Sequence, residues 1–203
     1  MTVRRIDGYD DSRFPGEILR QHGAFVTEDG TPCSVRVTGL RTAVIDAPEA
    51  ALDALMEECR FFAEHITVFQ DARGRVLRAW PEVPLFRVEL DGLQPSQFYV
   101  DEDKLAAVST FVHAPEDVVV PVIADGDRHI ACDGHSRLYA AHLLGFTEVL
   151  AFLCAEPGDA IHDFVRMARE RGVHRPADLR PLPHEEYAIQ WDRFCDDYFA
   201  SRS

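Results

Sequence analysis

Two prolines three residues apart interrupt the chain at Ala79-Trp-Pro-Glu-Val-Pro-Leu85. Proline lacks a backbone N–H and fixes φ, which disfavours helix interiors and central strands here. This is the strongest break in the sequence and predicts a boundary near residue 84. The 203 residues then fall into a first part of small-domain size and a longer second part. With 46% hydrophobic and 28% charged residues, there is enough apolar material for a core that needs no disulfide or metal staple.

Charge narrows the partners. Lys and Arg number 21 against 35 Asp and Glu, a formal charge of −14. Nonspecific nucleic-acid binding is driven by phosphate neutralisation, so this balance argues against a DNA-coating protein while leaving room for a local basic pocket. Lys104 is the sole lysine, a bias that reads as genome composition rather than function. No apolar run reaches the ~18–20 residues that span a bilayer, and Met-Thr-Val-Arg-Arg-Ile-Asp-Gly lacks the apolar centre of a secretory signal. The five cysteines, Cys33, Cys59, Cys132, Cys154 and Cys195, are odd in number and never spaced C-x-x-C. Reduced core thiols in a cytoplasmic protein are the expectation.

The first part reads as α+β. Ala24–Glu28 and Ser34–Thr38 alternate around a Glu28-Asp-Gly-Thr turn, and Thr42–Asp46 is a third strand. Pro48 sits where a helix tolerates proline, and Leu52, Leu55, Met56, Cys59 and Phe62 follow at helical spacing. His65–Gln70 and Arg75–Trp80 flank Asp71-Ala-Arg-Gly as another hairpin, while Asp10-Asp-Ser-Arg-Phe-Pro and Gln21-His-Gly are polar loops. In the second part Leu85–Leu90 alternates as a strand, Gln94-Pro-Ser-Gln is a turn, and Val100–Val112 is a helix with Asp101 and Glu102 near its positive end. Val118–Ala124 and Arg128–Cys132 are paired strands, Leu138–Leu144 a helix ended by Gly145, and Val149–Leu153 a further strand. Asp159–Arg171 and His184–Phe199 close the chain as helices. The stripe Tyr187, Trp191, Phe194 and Tyr198 marks the core side of the last one.

Chemistry concentrates between strand and helix, at Asp133-Gly134-His135-Ser136-Arg137. A helix N-terminus has unpaired N–H groups and partial positive charge. Gly134 permits positive φ and close approach of an anion, and Ser136 is a helix cap or a phosphate donor. Arg137 offers a bidentate fork and His135 a donor or proton shuttle. Asp133 orients His135 or holds Mg²⁺ alongside substrate phosphates. Together these describe a polyphosphate cradle. The plainer reading of the same residues is an Asp-Gly turn with Ser136 capping the helix. His142 lies seven residues after His135, a spacing that allows one shared face, with a solvent or core histidine as the plainer reading.

Asp133-Gly-His-Ser-Arg-Leu-Tyr-Ala-Ala-His-Leu-Leu-Gly145 resembles the D-G-H-x-R-x-x-A-x-x-x-L-G stretch of the ParB/sulfiredoxin-like superfamily, in the variant carried by its free serine kinases. Leu93-Gln-Pro-Ser-Gln-Phe resembles the superfamily's strand–turn opening, and the following helix and strands come in the same order, over about residues 86–154. The resemblance implies a mixed sheet with helices over residues 85–156, preceded by a small α+β domain (residues 1–84) and followed by C-terminal helices (157–203). It implies a phosphotransferase using ADP or ATP with Mg²⁺ on a small hydroxyl compound, possibly free serine. Gly134, His135, Ser136 and Arg137 would hold the nucleotide, Asp133 the metal, and Ser96 and Gln97 the substrate. Asp133 and His135 would take part in catalysis. The kinases carry a glutamate at the position of Gln97, and an amide is no general base. Asp101, Glu102 and Asp133 are therefore candidates for that role. The same departure supports the alternative, a nucleotide-binding regulatory module without efficient catalysis. Neither reading requires nucleic acid or a membrane.

Overall fold

A computed structural model describes residues 2–155, 158 and 160–202. The chain is α+β and divides into two compact units, Met1–Pro84 and Leu85–Ser203. In the first, β1 (Val3–Arg5), α1 (Gly16–Arg20), β2 (Ala24–Thr27), β3 (Pro32–Gly39), β4 (Thr42–Asp46), α2 (Leu52–Phe62), β5 (Val68–Gln70) and β6 (Val76–Ala79) follow in order. The six strands form one sheet in chain order. The one parallel pair, β4 with β5, is the pair that α2 connects, since parallel neighbours need a crossover. Leu55, Met56 and Cys59 on α2 pack with Phe25, Val35, Ile45 and Phe69 from the sheet and with Ile66 from the turn before β5.

Backbone approach is tightest at Gly23, where a Cβ would lie 1.9 Å from the Val35 carbonyl oxygen. That carbonyl's own residue donates its N–H to Gly23 O at 2.7 Å. The strand expected over His65–Gln70 is shorter because residues after α2 first turn, with Ile66 N–H bonded to Ala63 O at 2.9 Å.

The second unit contains β7 (Phe86–Glu89), β8 (Leu93–Pro95), β9 (Tyr99–Asp101), α3 (Glu102–Val108), β10 (Val119–Asp125), β11 (Arg128–Ala131), α4 (His135–Leu143), β12 (Glu148–Leu153), α5 (Ile161–Glu170), β13 (Arg180–Leu182), α6 (His184–Tyr187) and α7 (Arg193–Ala200). Its main sheet is mixed, in the order β7-β12-β10-β11-β8, and β13 pairs with β9 in a second, two-stranded sheet. The central strand β10 buries Val119, Val120, Pro121 and Val122, the continuous apolar run of a strand covered on both faces. Leu138, Ala140 and Ala141 of α4 join Val120 and Val122 in the largest core cluster. Among the described residues no helix is long and apolar enough to cross a membrane.

Several boundaries differ from the sequence expectation, each for a local reason. Gln94 and Pro95, expected in a turn, belong to β8, which runs parallel to β11 in the register Ile130↔Gln94. Pro95 is tolerated because β8 is an edge strand. Gln94 is fully buried and satisfied: its Nε2 donates to Pro95 O and Val173 O, both at 2.9 Å, and its Oε1 accepts from Arg169 Nε at 3.0 Å. Helix α3 begins at Glu102 rather than Val100 because the Asp101 carboxylate caps it, accepting the Asp103 N–H at 2.8 Å. Helix α4 begins three residues earlier than the apolar pattern indicated, at His135. The last helix is not continuous: a π turn over Ala188–Asp192 separates α6 from α7. Trp191 and Phe194 both meet Phe98 edge-on, with ring centroids 4.8 and 5.4 Å away. The beginning of the expected Asp159–Arg171 helix lies partly outside the described residues.

Phe69 is fully buried and Phe61 is 81% exposed. In guanidinium unfolding, Phe69→Ala is expected to lower the stability of the first unit by about 3–5 kcal/mol, and Phe61→Ala to change it by less than about 0.5 kcal/mol.

Candidate functional site

The connection from β11 to α4 carries the motif. Cys132 still pairs with the sheet, its N–H on Pro121 O at 2.9 Å. The chain then turns at Gly134, which is the N-cap of α4 in the left-handed region at φ 81°. A Cβ at Gly134 would come within 2.7 Å of Val120 Cγ1 and 2.9 Å of Arg137 Nη2, so both dihedral and space select glycine. The first helical bond is Leu138 N–H to Gly134 O at 2.9 Å. That leaves the N–H groups of His135, Ser136 and Arg137 without partners inside the helix. No side chain caps this end, so Ser136 is not the cap that the plainer reading required.

The structure places His135 differently from the sequence expectation. It is 4% exposed, and its Nε2 accepts the Ser96 N–H at 3.1 Å. An acceptor at Nε2 puts the ring proton on Nδ1. Ser96, also buried, donates its hydroxyl to Ala131 O at 2.8 Å. Burial pushes the His135 imidazole down to about 4, against the opposing pull of the Asp133 charge. His135 and Ser96 are thus an internal tie between the end of β8 and the motif. His135 is not presented to a phosphate, and Ser96 is not presented to a substrate.

Arg137 is also anchored. Its Nη1 donates to Val119 O at 2.8 Å, and Nη2 lies 4.0 Å from Asp133 Oδ2. Burial lowers its pKa, which Asp133 partly offsets. The guanidinium straps α4 to β10 beneath the Gly134 turn, so it is not the free phosphate fork expected from sequence. Asp133 stands at the outside of the turn with 62% of its side chain exposed. Ser136 is half-buried. Of the motif residues, Asp133 is the exposed one, while Gly134 and His135 are buried.

The candidate bases separate. Asp101 is 1% exposed and both carboxylate oxygens are engaged: Oδ1 caps α3, and Oδ2 meets His184 Nδ1 at 2.7 Å. A hydroxyl substrate cannot reach it, which removes Asp101 as a direct base. Glu102, in the first turn of α3, is exposed. Gln97 is half-buried and donates from Nε2 to the Tyr187 hydroxyl at 2.6 Å. Burial raises the Tyr187 pKa.

The His184 side chain is 59% exposed. The hydrogen bond to Asp101 is the main cause holding its pKa above the usual histidine value. Asp101, Asp103 and His184 bring three potential ligand atoms within 4.8 Å of one another. Among the described residues this is the group that can converge on a cation. His142 instead has its ring 6.0 Å from that of Tyr139. Burial pushes the Cys132 thiol up to about 12, with Cys154 beside it, which makes Cys132 a poor nucleophile at neutral pH.

Sequence reasoning missed His184 and Tyr187 as parts of this site. The pattern Pro183-His-Glu-Glu reads as a helix start, and the Asp101 contact spans 83 residues. It is created by the parallel pairing of β13 with β9, where Leu182 stands opposite Asp101.

No family model matches the chain, and no curated protein matches it. Among solved structures it is similar to the crystal structure of protein Atu1540 from Agrobacterium tumefaciens, with 20% sequence identity, covering 57% of this chain and 70% of that one at a TM-score of 0.37.

The two histidines predict opposite pH effects. His135 is depressed in the folded state, so its contribution to stability is present above the unfolded pKa near 6.5 and is lost as pH falls toward about 4. His184 is raised, so its contribution is present below 6.5 and lost as pH rises through its folded pKa. Unfolding measured from pH 4 to 8 should show a shallower acid loss in His135→Gln, and a stability difference confined to the acid side in His184→Gln.

Proposed function

We propose that residues 85–156 form a nucleotide-binding domain of the ParB/sulfiredoxin-like kind, with residues 157–203 as its helical supplement, and that the chain is a nucleotide-dependent phosphotransferase acting on a small hydroxyl compound such as free serine. The observation that carries this reading is the uncapped start of α4 behind a left-handed Gly134. N–H groups without partners inside the helix, at the positive end of its dipole, suit an anion. A neutral His135 tied to Ser96 holds that loop in one conformation. Arg137 adds positive charge from beneath it.

Terminal phosphates of ADP or ATP would lie on the His135–Arg137 amides. Asp133, exposed beside them, suits a Mg²⁺ ion, which is commonly held by one or two carboxylates together with substrate phosphates. The bound ion would neutralise phosphate charge. The chain's own part is positioning, the main requirement of phosphoryl transfer. A second reading, a regulatory module that binds nucleotide without turnover, is favoured by Gln97, whose amide is bound to Tyr187 and cannot accept a proton.

A thermal-shift and calorimetric screen of ATP, ADP and CTP, with and without Mg²⁺, tests the reading. A nucleotide at 100 times its dissociation constant should stabilise the protein by about 2.7 kcal/mol. Gly134→Ala should abolish the shift. Asp133→Asn should remove its Mg²⁺-dependent part. Arg137→Ala should both weaken binding and lower the stability of the ligand-free protein, because Val119 O loses its donor. Wild-type protein that binds none of these nucleotides would overturn the proposal.

A further inference from the structure

Outside the β11–α4 connection, an imidazole nitrogen and carboxylate oxygens converge at one place among the described residues. Asp101, Asp103 and His184 each bring a ligand atom within 4.8 Å of the other two. We infer that these three residues form a binding site for a divalent transition-metal cation of the zinc type, which fastens the start of α3 to α6. The site is independent of nucleotide binding and of phosphotransfer.

Two facts separate this group from the exposed acidic clusters that protein surfaces commonly carry. The first is how it is made. It includes an imidazole, the ligand type that suits zinc. Its two sides lie 83 residues apart and meet because β13 runs alongside β9, with Leu182 opposite Asp101. The second is the burial of Asp101. Its side chain is 1% exposed, yet no arginine or lysine pairs with it among the described residues. Its carboxylate partners are the Asp103 N–H at 2.8 Å and His184 Nδ1 at 2.7 Å, both supplied by the group itself. A buried charge is kept where it is paired or coordinates a metal. Asp192, in the π turn, adds a further negative charge that acts on both Asp101 and His184. Lys104, which acts on Asp192, has its ammonium over the Tyr187 ring, 5.1 Å from the centre.

The spacing suits coordination. Zinc holds nitrogen and oxygen ligands at about 2.0–2.2 Å in a tetrahedron, which sets its ligand atoms about 3.3–3.6 Å apart. The Asp101–His184 contact at 2.7 Å and the outer limit of 4.8 Å bracket that spacing. Asp101 Oδ1 is held by the Asp103 N–H, which fixes the direction of Oδ2 as the ligand atom. The ion takes the place of the proton between Nδ1 and Oδ2. Ligands bind deprotonated, so that proton is given up to solvent. Asp103 and His184 are exposed, which gives the ion its way in. Three protein ligands leave the fourth position to water.

The test uses the full chain, stripped with a chelator and kept reduced, with Zn²⁺ and Co²⁺ as probes and no nucleotide present. Calorimetric titration should show a single Zn²⁺ per chain, and thermal unfolding should move upward with Zn²⁺ concentration. Mg²⁺ at the same concentration should give no such shift, because it demands octahedral oxygen ligands. Bound Co²⁺ should show visible bands without sulfur-to-cobalt charge transfer, which tells this site from one made by the free cysteines. His184→Gln and Asp103→Asn should each weaken Zn²⁺ binding by about 100-fold or more, since even partners outside the ligand shell are worth about 10–100-fold. Asp103→Asn keeps the backbone N–H that Asp101 accepts, so its loss of binding cannot come from a broken α3 cap. Affinity that both variants leave unchanged overturns the site. So does a sulfur-to-cobalt band from the bound ion, or a wild-type chain that binds neither ion. An equal response to Mg²⁺ overturns the part given to the imidazole.

Discussion

At Gly134 the backbone of the β11–α4 connection lies against the side chain of Val120 on the central strand, with no room for a Cβ. The Arg137 guanidinium closes over the same spot and reaches the neighbouring Val119 carbonyl. This contact sets where α4 starts and how closely it rides on β10. Leu138, Ala140 and Ala141 enter the core only because the helix is held at that distance. Small residues at Ala140 and Ala141 answer the same closeness.

The same unit buries several polar side chains. Gln94, Ser96, Asp101 and His135 are each at most 5% exposed; Gln94, Ser96 and Asp101 are paired with Val173 O, Ala131 O and the Asp103 N–H, while His135 accepts the Ser96 N–H at Nε2 and leaves its buried Nδ1 without a partner among the described residues. Burying polar groups is tolerated when they are paired, and removing one partner costs more than the net worth of the bond. Gln94 ties β8 to α5, Ser96 ties the end of β8 to α4, and Asp101 ties β9 to α6. This pairing also explains why residue types that look reactive in sequence are inward-facing ties here, while Asp133 and His184 keep exposed side chains.

Much of the element pattern was legible. Alternation in β4, the α2 face and the apolar run at Val119–Val122 depend on local periodicity, which a sequence displays directly, whereas β2 is buried at every position instead of alternating. The break at Pro81 and Pro84 falls where the two compact units meet in the chain. Legibility failed where tertiary partners override local signals. Gln94-Pro95 looks like a turn until an edge position beside β11 makes it a strand. Val100 looks like the start of a helix until Asp101 supplies the cap one residue later. The aromatic stripe Tyr187, Trp191, Phe194 and Tyr198 marked a packed face, but not the π turn within it.

For the site, the residues of Asp133–Arg137 could be selected from the chain alone, because the demands of a strand–glycine–helix junction are local: a left-handed φ, free amides and a start for the helix. Which of those side chains points out and which points in could not, since that depends on what β8 and β10 place beside them. Ser96 and Val119 claim His135 and Arg137. The pairing of Asp101 with His184 belongs wholly to the folded state. It exists because β13 returns alongside β9, and no periodicity within either segment encodes which distant strand will be its neighbour.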